Sequence, residues 1–110
     1  MQLNLKSKKV IISGGTKGIG RESVLALAKE GATISLCARN QEDIDSLVKE
    51  IDSLGGKGYG KSVDLYDQEA FLAWLKESAE TMSGVDVFIS NVTGGTALGM
   101  DAWTAWKEFY

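Results

Sequence analysis

Residues 10–20, Val-Ile-Ile-Ser-Gly-Gly-Thr-Lys-Gly-Ile-Gly, constrain the fold more than any other stretch, because an apolar run breaks into glycines and passes straight into a helical pattern. That order describes a strand, a tight turn and a helix N-terminus. Gly14 frees the chain to turn sharply off the strand, Gly18 lets backbone approach a ligand closely, and Gly20 lets the helix pack on the sheet. The first amides of such a helix have no intrahelical partners and sit at the positive end of its dipole, so a diphosphate finds donors and a favourable field together. Thr16 and Lys17 add a hydroxyl and a cation at the rim, beside Ile19. The spacing is Gly14-x-x-x-Gly18-x-Gly20 rather than G-x-G-x-x-G, and glycine turns also occur without any ligand, so the flanking elements carry the reading.

The rest of the chain repeats the unit. After the strand Lys9–Ser13, a helix is expected over 19–30, with Val24, Leu27 and Ala28 at helical spacing and Gly31 closing it. A second strand follows at 32–38. Asn40 is placed to cap a helix running to about residue 54, with Ile44, Leu47, Val48 and Ile51 on one face. Gly55 and Gly56 stop it, and 59–63 reads as a third, weaker strand whose polarity suits a sheet edge. Asp67 caps a third helix with a stripe of Phe71, Leu75, Ala79 and Met82. Gly84 closes that helix before a strong strand at 85–90, and 100–110 reads as the start of a fourth helix. Strands alternating with helices of this length argue for parallel βαβ units with right-handed crossovers, hence an α/β, doubly wound sheet. In such sheets ligands bind beyond the carboxyl ends of the strands, where Ser13, Ala38, Asp64 and residues 90–94 would converge.

Composition excludes several alternatives. At 110 residues and 44% apolar content the chain makes one domain at most, with a modest core. Its 12 basic and 15 acidic residues give a net charge of −3, which disfavours nonspecific attraction to nucleic acid or anionic membranes. No apolar run approaches a membrane span and no signal core opens the chain, so a cytoplasmic location is the expectation. The absence of histidine excludes Ser-His-Asp and Cys-His catalysis and argues against zinc or any other metal site, while the lone Cys37 sits in an apolar run as a small hydrophobe.

The exit of the second strand indicates which dinucleotide fits. An Asp or Glu about 20 residues past the glycine turn holds a ribose 2′-hydroxyl, whereas a 2′-phosphate calls for arginine. Here the exit reads Cys37-Ala38-Arg39-Asn40, with Arg39 nineteen residues after Gly20 and no carboxylate before Glu42. Arg39, in bidentate fashion, and Lys17 together suit the extra phosphate, which favours NADP(H) over NAD(H). The alternative for both is an ordinary solvated cation. Asp64 is placed either to accept from an adenine amino group or simply to make a turn, and Asn91 either to brace the backbone near a nicotinamide ribose or to serve as ordinary turn chemistry.

A rival motif is present. Gly55-Gly56-Lys57-Gly58-Tyr59-Gly60-Lys61-Ser62 satisfies G-x-x-x-x-G-K-[ST] letter for letter. A phosphate-binding loop of that kind follows a strand and opens a helix, but this segment follows a helix and runs into a strand, leaving no helix N-terminus for the phosphates.

These residues together resemble the short-chain dehydrogenases/reductases. Residues 13–20 look like that family's T-G-x-x-x-G-I-G cofactor turn with Ser13 in place of Thr, and Ala38-Arg39-Asn40 is similar to its NADP-preferring strand exit. Asp64-Leu65 matches its adenine-contacting Asp, and Gly84-Val85-Asp86 followed by an apolar strand and Asn91 resembles the run into its N-N-A-G motif, with Val92-Thr93 departing from it. The resemblance spans essentially all 110 residues and implies a Rossmann-type fold truncated to about four strands. It implies an NADP(H)-dependent oxidoreductase of ketoacyl reductase-like type, acting on a small carbonyl or secondary alcohol and homo-oligomeric when complete.

The family's catalytic tyrosine, with a lysine four residues on, has no counterpart, since Tyr59 and Tyr66 are followed at that offset by Val63 and Ala70, and Tyr110 by nothing. Trp106 resembles the tryptophan that opens the helix carrying the family's catalytic asparagine. The chain is therefore expected to be the front part of one domain, incomplete at its C-terminus, without catalytic residues of its own and inert alone. The alternative is a nucleotide-binding module that performs no chemistry.

Overall fold

The computed structural model describes residues 6–14 and 18–90, with the side chains of residues 18 and 19 left aside. They run β1 (Lys9–Ser13), α1 (Gly18–Lys29), β2 (Thr33–Ala38), α2 (Gln41–Ser53), β3 (Lys57–Ser62), α3 (Gln68–Met82) and β4 (Val87–Ser90). All strand pairs are parallel and the sheet order is β3-β2-β1-β4. That is the strand order of one half of a Rossmann sheet, with the crossover from the first half to the next strand placed beside β1. The expected α/β doubly wound architecture is the one observed, while the helix expected over 100–110 lies outside the described residues.

β1 is central because both of its faces are apolar. Val10 and Ile12 face one helical layer and join Val24 and Ala28 of α1, Ile34 and Leu36 of β2, and Ile44, Leu47 and Ile51 of α2. Ile11 faces the other way, with Cys37, Val63, Phe71, Trp74, Leu75 and Met82 beneath α3. Burying such side chains contributes about 1.5–3 kcal/mol each, so the two cores hold the helices to opposite faces of the sheet. Period-two alternation in the strands thus decides which helix each residue meets. One polar pair interrupts the second core, where the Ser35 and Ser78 hydroxyls meet at 2.7 Å, fully enclosed.

The helix ends follow local chemistry. The Asn40 side chain accepts the Asp43 N–H, and the Asp67 side chain accepts the Ala70 N–H, as their sequence positions suggest. α3 ends at Met82, two residues before the expected glycine, with Ser83 as a left-handed cap at φ 60° and the Gly84 N–H returning to the Ala79 carbonyl. β4 opens at Val87 rather than residue 85, because Asp86 is engaged with the start of β1: its carboxylate accepts the Lys9 N–H and its own N–H donates to the Lys9 carbonyl.

The segment carrying the rival phosphate-loop pattern is β3, at the sheet edge. Its alternate glycines make room for helices: a Cβ on Gly58 would press on Ile51, and one on Gly60 would overlap Ile44 Cγ2. α2 crosses this strand so closely that only glycine fits beneath Ile44. The same helix guards the outer edge of the sheet, since Asp52 accepts the Gly58 N–H at 3.0 Å and Gln41 accepts the Ser62 N–H at 3.2 Å. Lys61, the lysine of the rival motif, pairs with Glu77 on α3.

Candidate functional site

The parallel register brings the strand exits to one edge. Ser13 stands opposite Cys37 on β2 and Ser90 on β4, and Cys37 stands opposite Lys61 on β3, so residues 14, 38–39, 62–64 and 90 share the carboxyl end of the sheet. There the chain leaves β1 through Gly14 at φ 76°, a left-handed turn that costs a side-chain-bearing residue about 1–2 kcal/mol. The Gly14 N–H donates to the Cys37 carbonyl at 2.8 Å, which fixes the turn against β2. α1 opens at Gly18, and Gly20 is buried in its first turn. Thr16, Lys17 and Asn91 lie outside the described residues.

The first turn of α1 carries no acidic residue, unlike that of α2 with Glu42 and Asp43 or α3 with Glu69. Its positive end is therefore uncompensated by its own carboxylates, the electrostatic condition for an anion.

Arg39 leaves β2 at the same edge, solvent-exposed, with its guanidinium carbon 5.3 Å from the centroid of the Tyr66 ring. Its carbonyl receives the Ser62 hydroxyl at 2.7 Å, tying the exits of β2 and β3 together. Among the described residues it forms no ion pair. Asp64 sits in the turn after β3. Its carboxylate accepts the Tyr66 N–H at 2.9 Å and its carbonyl accepts the Asp67 N–H at 2.9 Å, so one carboxylate oxygen is engaged in shaping the turn. Leu65 is half-buried against the α3 core. The structure thus brings together Gly14, the N-terminus of α1 at Gly18, Ile19 and Gly20, Arg39, Asp64 and Leu65.

Two residues at this edge escaped the sequence reading. Tyr66 and Ser62 owe their places beside Arg39 to the pairing of β2 with β3, and the one available signal was the register that sets Ala38 opposite Ser62. Ser13 is also more than a substitute for Thr, since its hydroxyl is fully buried without a hydrogen-bond partner among the described residues. Such a group costs about 1–3 kcal/mol when unpaired. Cys37 contributes no nucleophile, because burial pushes its thiol up to about 12, against a smaller opposing pull from the Gly14 backbone.

The edge fits a dinucleotide: a left-handed turn leading to a helix N-terminus without acidic residues in its first turn, with a guanidinium that forms no ion pair among the described residues at the exit of the adjacent strand. No helix among the described residues is long and apolar enough to cross a membrane.

Comparison with known proteins agrees with this geometry. The sequence model of the short chain dehydrogenase family matches residues 8–109. A 7alpha-hydroxysteroid dehydrogenase of Clostridium sardiniense is 33% identical over 97 residues, covering 88% of this chain and 37% of that protein. A 3beta-hydroxysteroid dehydrogenase of Mediterraneibacter gnavus is 34% identical, covering 76% of this chain and 30% of its own length. Among solved structures, a short chain dehydrogenase of Mycobacterium thermoresistibile superposes with a TM-score of 0.77 at 30% identity, over 82% of this chain and 35% of that one. An NADH-dependent reductase, A1-R′, crystallised with NAD, superposes with a TM-score of 0.69 at 28% identity, over 76% of this chain and 35% of that one. The chain spans about a third of the length of the curated relatives it matches. With the family's model matching residues 8–109, this chain belongs to the short-chain dehydrogenase family.

Proposed function

We propose that this chain is the NADP(H)-holding part of an oxidoreductase that reduces a carbonyl or oxidises a secondary alcohol on a small molecule. The observation that carries the reading is the meeting, at one sheet edge, of the Gly14 turn, the acid-free N-terminus of α1 and an exposed Arg39 that forms no ion pair among the described residues. When bound, the nicotinamide supplies or accepts the hydride.

The chain's own residues bind and orient. Gly14 and the opening amides of α1, with Gly18, Ile19 and Gly20, take the diphosphate, and Thr16 and Lys17 add donors at its rim. The Arg39 fork takes the 2′-phosphate through charge-assisted hydrogen bonds. Asp64 and Leu65 meet the adenine, Asp64 through whatever acceptor capacity its turn leaves, and Asn91 braces the wall near the nicotinamide ribose. We assign residues 1–110 to the cofactor-binding portion of a single longer domain, in a cytoplasmic protein that forms homo-oligomers when complete.

The second reading is a binding module without chemistry, and what favours it is that neither Tyr59 nor Tyr66 has a lysine four residues on. Hydride transfer needs a proton donor on the substrate oxygen, so the two readings separate on a downstream Tyr-x-x-x-Lys in the coding sequence.

The cofactor assignment is tested by titrating the chain and its Arg39→Asp variant with NADPH and NADH. The expected result is a wild-type preference for NADPH and a variant that loses NADPH affinity by about ten- to hundredfold, the value of hydrogen bonds to a charged group. Equal affinities in the wild type, or a preference for NADH of the kind the A1-R′ reductase's name suggests for that enzyme, would remove the 2′-phosphate from Arg39.

A further inference from the structure

Arg39 is held at both ends. Its backbone is anchored by the Ser62 hydroxyl, which donates to its carbonyl at 2.7 Å. Its guanidinium lies over the Tyr66 ring at 5.3 Å. The ring in turn stands on a rigid base, because the Tyr66 N–H is fixed by the Asp64 carboxylate and the Asp64 carbonyl is fixed by the Asp67 N–H. Tyr66 is nonetheless 63% exposed, an unusual position for a large ring that contributes to neither core.

The type of contact matters. A carboxylate beside Arg39 would occupy the N–H fork that an incoming phosphate needs, whereas an aromatic ring engages only the face of the guanidinium and leaves its edge donors available. The two acids that flank Tyr66 in sequence each have an oxygen engaged by backbone: Asp64 by the Tyr66 N–H and Asp67 by the Ala70 N–H. An exposed arginine with no support would have to lose its rotamer freedom at the moment of binding, and resting it on a ring in advance lowers that entropic cost.

Resting on the reading of Arg39 as the cation for the 2′-phosphate, we propose that Tyr66 is a positioning residue that holds the Arg39 guanidinium at the exit of β2 and thereby sets the preference for a 2′-phosphorylated dinucleotide. It acts through Arg39. The ring face, not the hydroxyl, does the holding.

The experiment compares wild type, Tyr66→Ala and Tyr66→Phe by NADPH and NADH fluorescence titration, with NMR of the Arg39 δ-protons in the absence of cofactor. In the wild type those protons should be displaced upfield by the ring current, and in Tyr66→Ala the displacement should vanish while Tyr66→Phe keeps it. Tyr66→Ala should weaken NADPH by about two- to fivefold, as loss of an exposed cation–π contact implies, and leave NADH unchanged, with Tyr66→Phe restoring wild-type NADPH affinity. Equal weakening of both cofactors would reduce Tyr66 to a turn residue and overturn the proposal, as would unchanged NADPH affinity in Tyr66→Ala or failure of Tyr66→Phe to restore it. Wild-type δ-protons at ordinary shifts would overturn it without reference to any cofactor. A wild type that does not prefer NADPH defeats the 2′-phosphate reading itself, which a wild-type preference surviving in Tyr66→Ala does not.

Discussion

Gly60→Ala tests whether the segment that mimics a phosphate-binding loop is instead a packed edge strand. The added Cβ would overlap Ile44 Cγ2, which is attached directly to a branched Cβ and cannot swing away as a long side chain would. Val48 Cγ2 lies 3.2 Å from the same position, so α2 must shift as a whole. Overpacking of this kind costs about 1–3 kcal/mol, and replacing a strand glycine recovers at most ~1 kcal/mol through the unfolded chain, so a net loss is expected. Ile44→Ala alone costs about 2–5 kcal/mol as a cavity, since Ile44 is fully buried. In that background the severe overlap is gone and only the tight Val48 contact remains, so adding Gly60→Ala should cost much less than in wild type, giving a coupling of about 1–3 kcal/mol. Urea unfolding followed by far-UV circular dichroism of the four proteins measures the cycle. A Gly60→Ala variant as stable as wild type, or a double variant showing strict additivity, would refute the close crossing of α2 over β3.

Three further outcomes follow from the interior and the helix ends. Cys37 should react with a thiol reagent only as fast as the chain unfolds; its pH effect follows from its thiol lying near 9.0 when unfolded and about 12 when folded. Its contribution is full below pH 9, and as pH rises from 9 toward 12 the unfolded chain loses the proton first, so stability falls by up to about 1.4 kcal/mol per pH unit, a slope that Cys37→Ala should remove. Ser35→Ala strands the enclosed Ser78 hydroxyl and should cost about 1–3 kcal/mol, whereas Ser35→Ala with Ser78→Ala should cost less than the sum of the single changes, as read by denaturant melts. Asp67→Ala removes the cap of α3 and should lower stability by about 0.5–2 kcal/mol, with Asp67→Asn largely preserving it.

Where hydrophobic period and cap chemistry agree, the elements were legible from the residues alone. β1 matches its expected bounds, and Asn40 and Asp67 cap the helices they were placed before. β3 begins two residues before and ends one residue before the reading of 59–63, because Lys57 and Gly58 have no strand propensity of their own; their conformation comes from pairing with Thr33 and Ile34 and from the room α2 needs above them. β4 was read two residues long because Asp86 is spent on Lys9, a contact across 77 positions that no local pattern records. At the site, Gly14 and Arg39 were legible because a turn and a strand exit are local features. Asp64 shapes its own turn, one of the two readings its position allowed, and Tyr66 and Ser62 were invisible because their meaning lies in the neighbouring strand.

The central claim is that the carboxyl edge of this sheet, opened by the Gly14 turn, holds a dinucleotide with its 2′-phosphate on Arg39. The most direct measurement is backbone amide shift mapping of the isotope-labelled chain during titration with NADPH. Saturable shifts are expected at Ser13, Gly14, Gly18, Ile19 and Gly20, with a second group at Arg39 and residues 64–66 that is smaller with NADH. Shifts centred on residues 55–62, or none at the Gly14 turn at saturating NADPH, would contradict it.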